Sequence, residues 1–247
     1  MPPAFSDDNT PVINGSSNLN ASLLPICTLL AARVKRLLQT EASTPLLKQV
    51  QEQIRVALGV IDEALDRYRF VSLLSGVWSK EVGSGIIIET TSTNLRLHSV
   101  EEISLSYNGG KDCLVLLILF LVSLSTHPKC AASLPAKLQS VYFISPDPFA
   151  EVDSFVSDSV TTYSLNLARY AIPMKEALKL YLEEHKNVKA ILVGTRRTDP
   201  HGQLLTHFDP TDKGWPPFTR VHPIIDWHYA EIWAVGCPFC AEIRTGD

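Results

Sequence analysis

The chain has 247 residues, 45% hydrophobic and 19% charged, which supplies enough apolar side chains for a sizeable core and excludes wholesale disorder. Twenty-two basic residues against 26 acidic ones give a formal net charge of −4, so the long-range positive field of a nucleic-acid binder is missing and any phosphate site must be local. The longest apolar run, CLVLLILFLVSL from Cys113 to Leu124, is well short of the ~20 residues that span a bilayer and reads as a buried helix. Five cysteines, Cys27, Cys113, Cys130, Cys237 and Cys240, are an odd number without small-scaffold spacing, which points to reduced thiols. Residues 1–20 carry neither a basic leader with an apolar block nor an Arg-rich transit pattern, so the expectation is a soluble cytoplasmic monomer without nucleic-acid or membrane partners.

In chain order, residues 1–20 are rich in Ser, Asn, Pro and Asp and read as a disordered lead-in. Residues 21–102 hold two amphipathic helices, Leu23 to Leu38 and Leu46 to about Leu74, the second with Ile54, Leu58, Ile61 and Leu65 at helical spacing. Thr44 is its predicted N-cap and Pro45 its first helical residue. An excursion over 76–102 contains the short β-branched run Ile86 to Ile88. Residues 103–236 then alternate: strand Ile103 to Tyr107, helix from Asp112, strand Ser140 to Ile144, helix Glu151 to Thr162, strand LNLARY, helix Pro173 to His185, strand Lys189 to Thr195. This order predicts an α/β fold with a mostly parallel sheet and flanking helices, preceded by a helical extension and followed by a short tail at 237–247. Ligands of such sheets bind beyond the carboxyl ends of the strands, in the turns after Tyr107, Ile144 and Thr195.

The first of these turns, Ser106-Tyr107-Asn108-Gly109-Gly110-Lys111-Asp112-Cys113, lies between a strand and an apolar helix. Two glycines permit close backbone approach, successive N–H groups can form an anion nest, and the helix N-terminus adds partial positive charge. It is neither a Walker A loop nor a G-x-G-x-x-G turn, and a Gly-Gly pair by itself fits a tight strand-to-helix turn equally well. The turn after the strand KAILV places Arg196, Arg197 and Asp199 together, a chemistry suited to phosphate oxygens, although an isolated Arg there would simply be solvated. Downstream, Trp215, Phe218 and Trp227 lie near Asp212 and Arg220. They suit a planar, partly charged ligand, or else a Pro-rich loop packing its aromatics inward. His201, His207, His222 and His228 match no metalloprotease pattern and are expected in surface or capping roles. Cys113, in an apolar neighbourhood, is expected to be inert.

SYNGGKDC resembles the PP-loop of the ATP pyrophosphatase superfamily, in the form carried by eukaryotic, fungal-type FAD synthases of the phosphoadenylyl-sulfate-reductase-like type. GTRRTDPHG followed by TDKGWPPFTRVHPIIDW resembles the flavin-binding half of that family. The resemblance covers about Ile103 to Trp233. It implies a Rossmann-like PP-loop fold and transfer of AMP from ATP to FMN, giving FAD and pyrophosphate, with Mg²⁺ accompanying ATP. By the same resemblance, Ser106, Tyr107, Asn108, Gly109 and Gly110 hold the ATP phosphates, Ile144 and Asp147 border the adenine, and Asp199, Asp212, Trp215 and Arg220 form the FMN pocket. Lys111, Arg196 and Arg197 would neutralise charge at the reacting phosphates. Asp112 would support metal or loop, or serve only as a first-turn acidic residue favouring the helix dipole.

The family pattern continues past Trp233 with a Cys-containing aromatic stretch and basic residues that reach the phosphates, whereas this chain reads AVGCPFCAEIRTGD. The alternative expectation is therefore a flavin- or nucleotide-binding protein without turnover. A sulfonucleotide reductase on this scaffold would need a reactive C-terminal Cys, for which only Cys237 and Cys240 are available. Zinc at that C-x-x-C pair would need a second pair of ligands.

Overall fold

The computed structural model describes residues 23–68, 102–131, 134–145, 147 and 149–236. The expected lead-in at 1–20, the Ile86–Ile88 run and the tail with Cys237 and Cys240 lie outside the described residues.

Two N-terminal helices, α1 (Leu23–Gln39) and α2 (Pro45–Arg67), precede the alternating part. The predicted cap of α2 is present: Thr44 accepts a hydrogen bond from the Leu47 N–H at 3.1 Å, and Pro45 occupies the first turn where its missing N–H costs nothing. Ile54, Ile61 and Leu65 are buried with Ala57 and Val60 between them. Then follow β1 (Ile103–Ser106), α3 (Lys111–Thr126), β2 (Leu138–Phe143), α4 (Ala150–Thr162), β3 (Leu165–Tyr170), α5 (Met174–Glu184), β4 (Ala190–Leu192), β5 (Phe208–Pro210) and β6 (Thr219–Val221). Residues 229–236 are helical.

The six strands form one sheet in the order β3-β2-β1-β4-β6-β5, parallel except for β5, which runs antiparallel to β6. Period-two alternation divides the strand residues between the two faces. Ile103, Leu105, Leu138, Tyr142, Ala190 and Leu192 face a large core shared with α1 to α4, while Val141 and Ile191 pack with Leu178 and Tyr181 of α5 on the other face. The apolar run predicted as a buried helix is α3, buried from Cys113 to Leu124. It is apolar all round because it is enclosed all round, with the sheet on one side and α1 and α2 on the other.

β1 is followed in sequence by its neighbour β2 and then by β3 beyond it on one side, whereas β4 lies on its other side. The strand order therefore reverses between β1 and β4, and their carboxyl ends open the crevice where ligands of such sheets bind.

Candidate active site

The turn after β1 is shaped by three local constraints. Asn108 Oδ1 accepts the Gly110 N–H at 2.9 Å, an Asx arrangement that bends the chain toward α3. Gly109 has φ +74°, and a Cβ there would lie 2.7 Å from Val156 Cγ2 of α4, so conformation and space both demand glycine. Gly110 is the N-cap of α3 and brings no capping side chain, which leaves first-turn N–H groups available to an anionic ligand. Across the crevice, Gly194 follows β4 so closely that a Cβ would meet Cys113 Sγ at 3.0 Å and Cys113 N at 3.1 Å. Gly194 lets the β4 turn close onto the phosphate turn.

That approach brings four of the expected residues into one chain of alternating charge. Lys111 Nζ lies 3.1 Å from Asp112 Oδ2, and Asp112 Oδ1 lies 3.0 Å from Arg196 Nε. Arg196 in turn donates from Nη2 to Asp199 Oδ1 at 3.0 Å and from its backbone N–H to Asp199 Oδ2 at 2.8 Å. The Asp112–Arg196 contact is ionic without hydrogen-bond geometry at either atom, so the guanidinium Nε–H is not yet committed. Arg196 is only 12% exposed at its side chain, which weakens solvent screening around it.

Its sequence neighbour is placed differently. Arg197 pairs with Asp226 at 2.5 Å and donates from Nη1 to the carbonyls of Gln203 and Leu205. The Arg197 hydrogen bond holds the Asp226 carboxyl below the usual carboxylate range. Arg197 thus fastens the loop after β4 to the segment after β6. Tyr107 is likewise turned inward, with its ring fully buried and its hydroxyl donating to Ser159 Oγ at 2.8 Å, so only its backbone borders the turn. Ser106 ends β1, and Ile144 follows β2, adjacent in the sheet, with Asp147 exposed beyond it. Burial pushes the Cys113 thiol up to about 11, which keeps it protonated and unreactive near neutral pH.

The second group of expected residues is built around the loop between β5 and β6. Asp212 pairs with Arg220 at 3.4 Å, and Arg220 also donates to the Pro210 carbonyl at 3.0 Å. Trp215 is 38% exposed and helps line an open cavity of about 750 Å³ between this loop and α5, where Lys175, Lys179 and Lys186 stand among Glu176 and Glu183. The size is that of a small-molecule site. Of the other two aromatics, Phe218 packs against the α5-side core and Trp227 is buried. The inward-packing reading thus holds for two of the three. The mixed Lys and Glu lining contributed by α5 and the residues after it was missed by sequence reasoning, since charges on an amphipathic helix read as a solvated face.

Two further features depart from expectation. His222 is 1% exposed rather than superficial, and burial lowers its pKa to about 4, against the opposing pull of Asp209. Tyr229, not singled out in the sequence, places its ring 5.4 Å from Lys111 Nζ. The spacing of Tyr229 and Trp233, one helical turn apart, was the available signal.

Asp112 is the carboxylate nearest the phosphate turn, and among the described residues no cluster of three or more metal-ligating side chains forms. Asp112 is the carboxylate that Mg²⁺ carried in on a polyphosphate would meet at this turn. No helix among the described residues is long and apolar enough to cross a membrane.

Residues 168–235 match the family model of the Phosphoadenosine phosphosulfate reductase domain. A probable FAD synthase of Schizosaccharomyces pombe is 48% identical over 136 residues, covering 54% of this chain and 51% of that protein. Over about half of its length the chain is similar in sequence to fungal FAD synthases. The flavin adenine dinucleotide synthase of Saccharomyces cerevisiae is 33% identical over 54% of this chain and 49% of its own length. The chain thus spans about half the length of these curated relatives. The crystal structure of Candida glabrata FMN adenylyltransferase in complex with FMN and the ATP analogue AMPCPP superposes with a TM-score of 0.69. It has 29% identity, covering 85% of this chain and 64% of that one. The same enzyme in complex with FAD and inorganic pyrophosphate gives a TM-score of 0.69 at 30% identity, over 85% of this chain and 64% of that one. The FAD-synthase-like fold expected from the sequence is therefore the one observed.

Proposed function

We propose that this chain transfers the adenylyl group of ATP to FMN, forming FAD and releasing pyrophosphate. The observation that carries the reading is the contact of Asp112, in the uncapped first turn of α3 beside the Gly-Gly-Lys turn, with the largely buried Arg196 after β4, at the point where the strand order reverses. Homology to FAD synthases and to an FMN adenylyltransferase crystallised with both substrates supports the choice of substrates.

The reaction needs no covalent enzyme intermediate. A phosphate oxygen of FMN attacks the α-phosphorus of ATP, the bond from that phosphorus to the bridging oxygen breaks, and pyrophosphate leaves with the electron pair. Attacker and target are both strongly negative, so the barrier is dominated by repulsion and alignment. In the turn at Ser106 to Gly110 the Tyr107 N–H pairs with the Val141 carbonyl and the Gly110 N–H with Asn108 Oδ1, so the backbone donors offered to the departing phosphates are those of Gly109 and of the uncapped first turn of α3. Lys111 and Arg196, held before substrate arrives by Asp112 and Asp199, exchange those carboxylates in part for phosphate oxygens. Mg²⁺, when bound with ATP at Asp112, supplies further charge neutralisation. Ile144 and Asp147 border the adenine. On the flavin side, Trp215 offers an exposed ring face, and the Asp212–Arg220 pair and Asp199 complete the FMN pocket.

The test is to incubate the purified protein with FMN, ATP and Mg²⁺ and to separate the flavins by chromatography. FAD is the expected product. FMN bound and recovered unchanged would instead make this a flavin-binding protein without turnover.

A further inference from the structure

Among the described residues, the Lys111 ammonium lies 3.1 Å from the Asp112 carboxylate and 5.4 Å from the centroid of the Tyr229 ring. The second contact is built rather than incidental. Residues 229–236 are anchored by Ile232 and Val235, both fully buried. The start of this helix is held by Glu231, itself buried, whose Oε2 accepts the His228 N–H at 2.7 Å. Pinned in this way, the helix leaves Tyr229 and Trp233 on its outer side, 60% and 43% exposed, in edge-to-face contact at 5.9 Å. Two large, well-exposed aromatics cost the free protein apolar exposure, and one of them covers the ammonium next to the phosphate turn.

We infer that Tyr229 is a positioning residue for Lys111: its ring holds the ammonium beside the phosphate turn, in competition with Asp112, so that the charge is available to the polyphosphate of ATP. A ring face attracts a cation without neutralising it. It can therefore orient Lys111 and still leave its full charge for phosphate, which a carboxylate cannot. Trp233 braces the ring edge-on. The inference rests on the assignment of ATP to this turn but not on the identity of the acceptor.

The test is a double-mutant cycle on ATP binding, measured by calorimetry for the wild type, Tyr229→Leu, Lys111→Met and the double variant, with Tyr229→Phe as the conservative change. An exposed cation–ring contact corresponds to about two- to fivefold in affinity. Tyr229→Leu is therefore expected to weaken ATP binding by about that factor, Tyr229→Phe to bind as the wild type does, and Tyr229→Leu to have no further effect once Lys111 is Met. The FMN KM stays unchanged. Equal ATP affinity in wild type and Tyr229→Leu, or the same loss with and without Lys111, would overturn the inference. Coupling without FAD formation would keep it and sink the transfer reading, while absence of ATP binding by the wild type would overturn both.

Discussion

Two adjacent arginines of identical chemistry divide their work through the partners the fold supplies. Arg196 lies in the line of alternating charge from Lys111 to Asp199, with its Nε–H uncommitted, while all the contacts of Arg197 are structural. Replacing Arg196 by Ala is expected to slow FAD formation by about a hundredfold or more, the scale on which removal of one preorganised donor acts. Arg197→Ala is expected to lower the melting temperature and to retain most of the turnover. Steady-state kinetics with thermal melts on the two variants separates the roles, and equal losses of turnover would refute the division. The sequence could not have made this distinction, because it depends on Asp226 and on two carbonyls of a loop whose path is set by tertiary packing.

At the scale of elements, the phosphate turn is held between α3 and α4, and Gly109 is where the two constraints meet. Gly109→Ala would place a methyl 2.7 Å from Val156 Cγ2 in a backbone conformation that disfavours L residues. The expected destabilisation is about 1–3 kcal/mol, read as a lower denaturant midpoint together with weaker ATP binding. An unchanged midpoint would contradict the placement of α4. Most elements were legible: β1 to β4 as apolar strands, α3 as an apolar run, α2 by its Thr-Pro start. β5 and β6 were not, because Phe208–Pro210 and Thr219–Val221 are three residues each, polar or Pro-containing, and become strands only by pairing with each other and with β4. Pro210 is accommodated because β5 is an edge strand. For the same reason Tyr229 escaped notice: Lys111 meets it only once the helix over 229–236 has packed.

For the molecule as a whole, His222 ties stability to pH. Its folded pKa, about 4, lies below the unfolded value near 6.5 because burial penalises the cation, and neither ring nitrogen has a hydrogen-bond partner. The unfolded chain therefore binds the proton more tightly, so the contribution is fully present above pH 6.5 and is lost as pH falls toward 4. It amounts to about 3 kcal/mol across that window. Denaturation at a series of pH values is expected to show an acid limb that flattens in His222→Leu, and identical limbs would place the acid sensitivity elsewhere.

The central claim is that the crevice between β1 and β4 passes the α-phosphorus of ATP to FMN. It is tested most directly by supplying FMN and Mg²⁺ with ATP labelled at either the α or the γ position and locating the label after separation. The α label is expected in FAD and the γ label in pyrophosphate, both lost together in Arg196→Ala. Label from the α position remaining in ATP or appearing in free AMP, with FMN unmodified, would contradict adenylyl transfer.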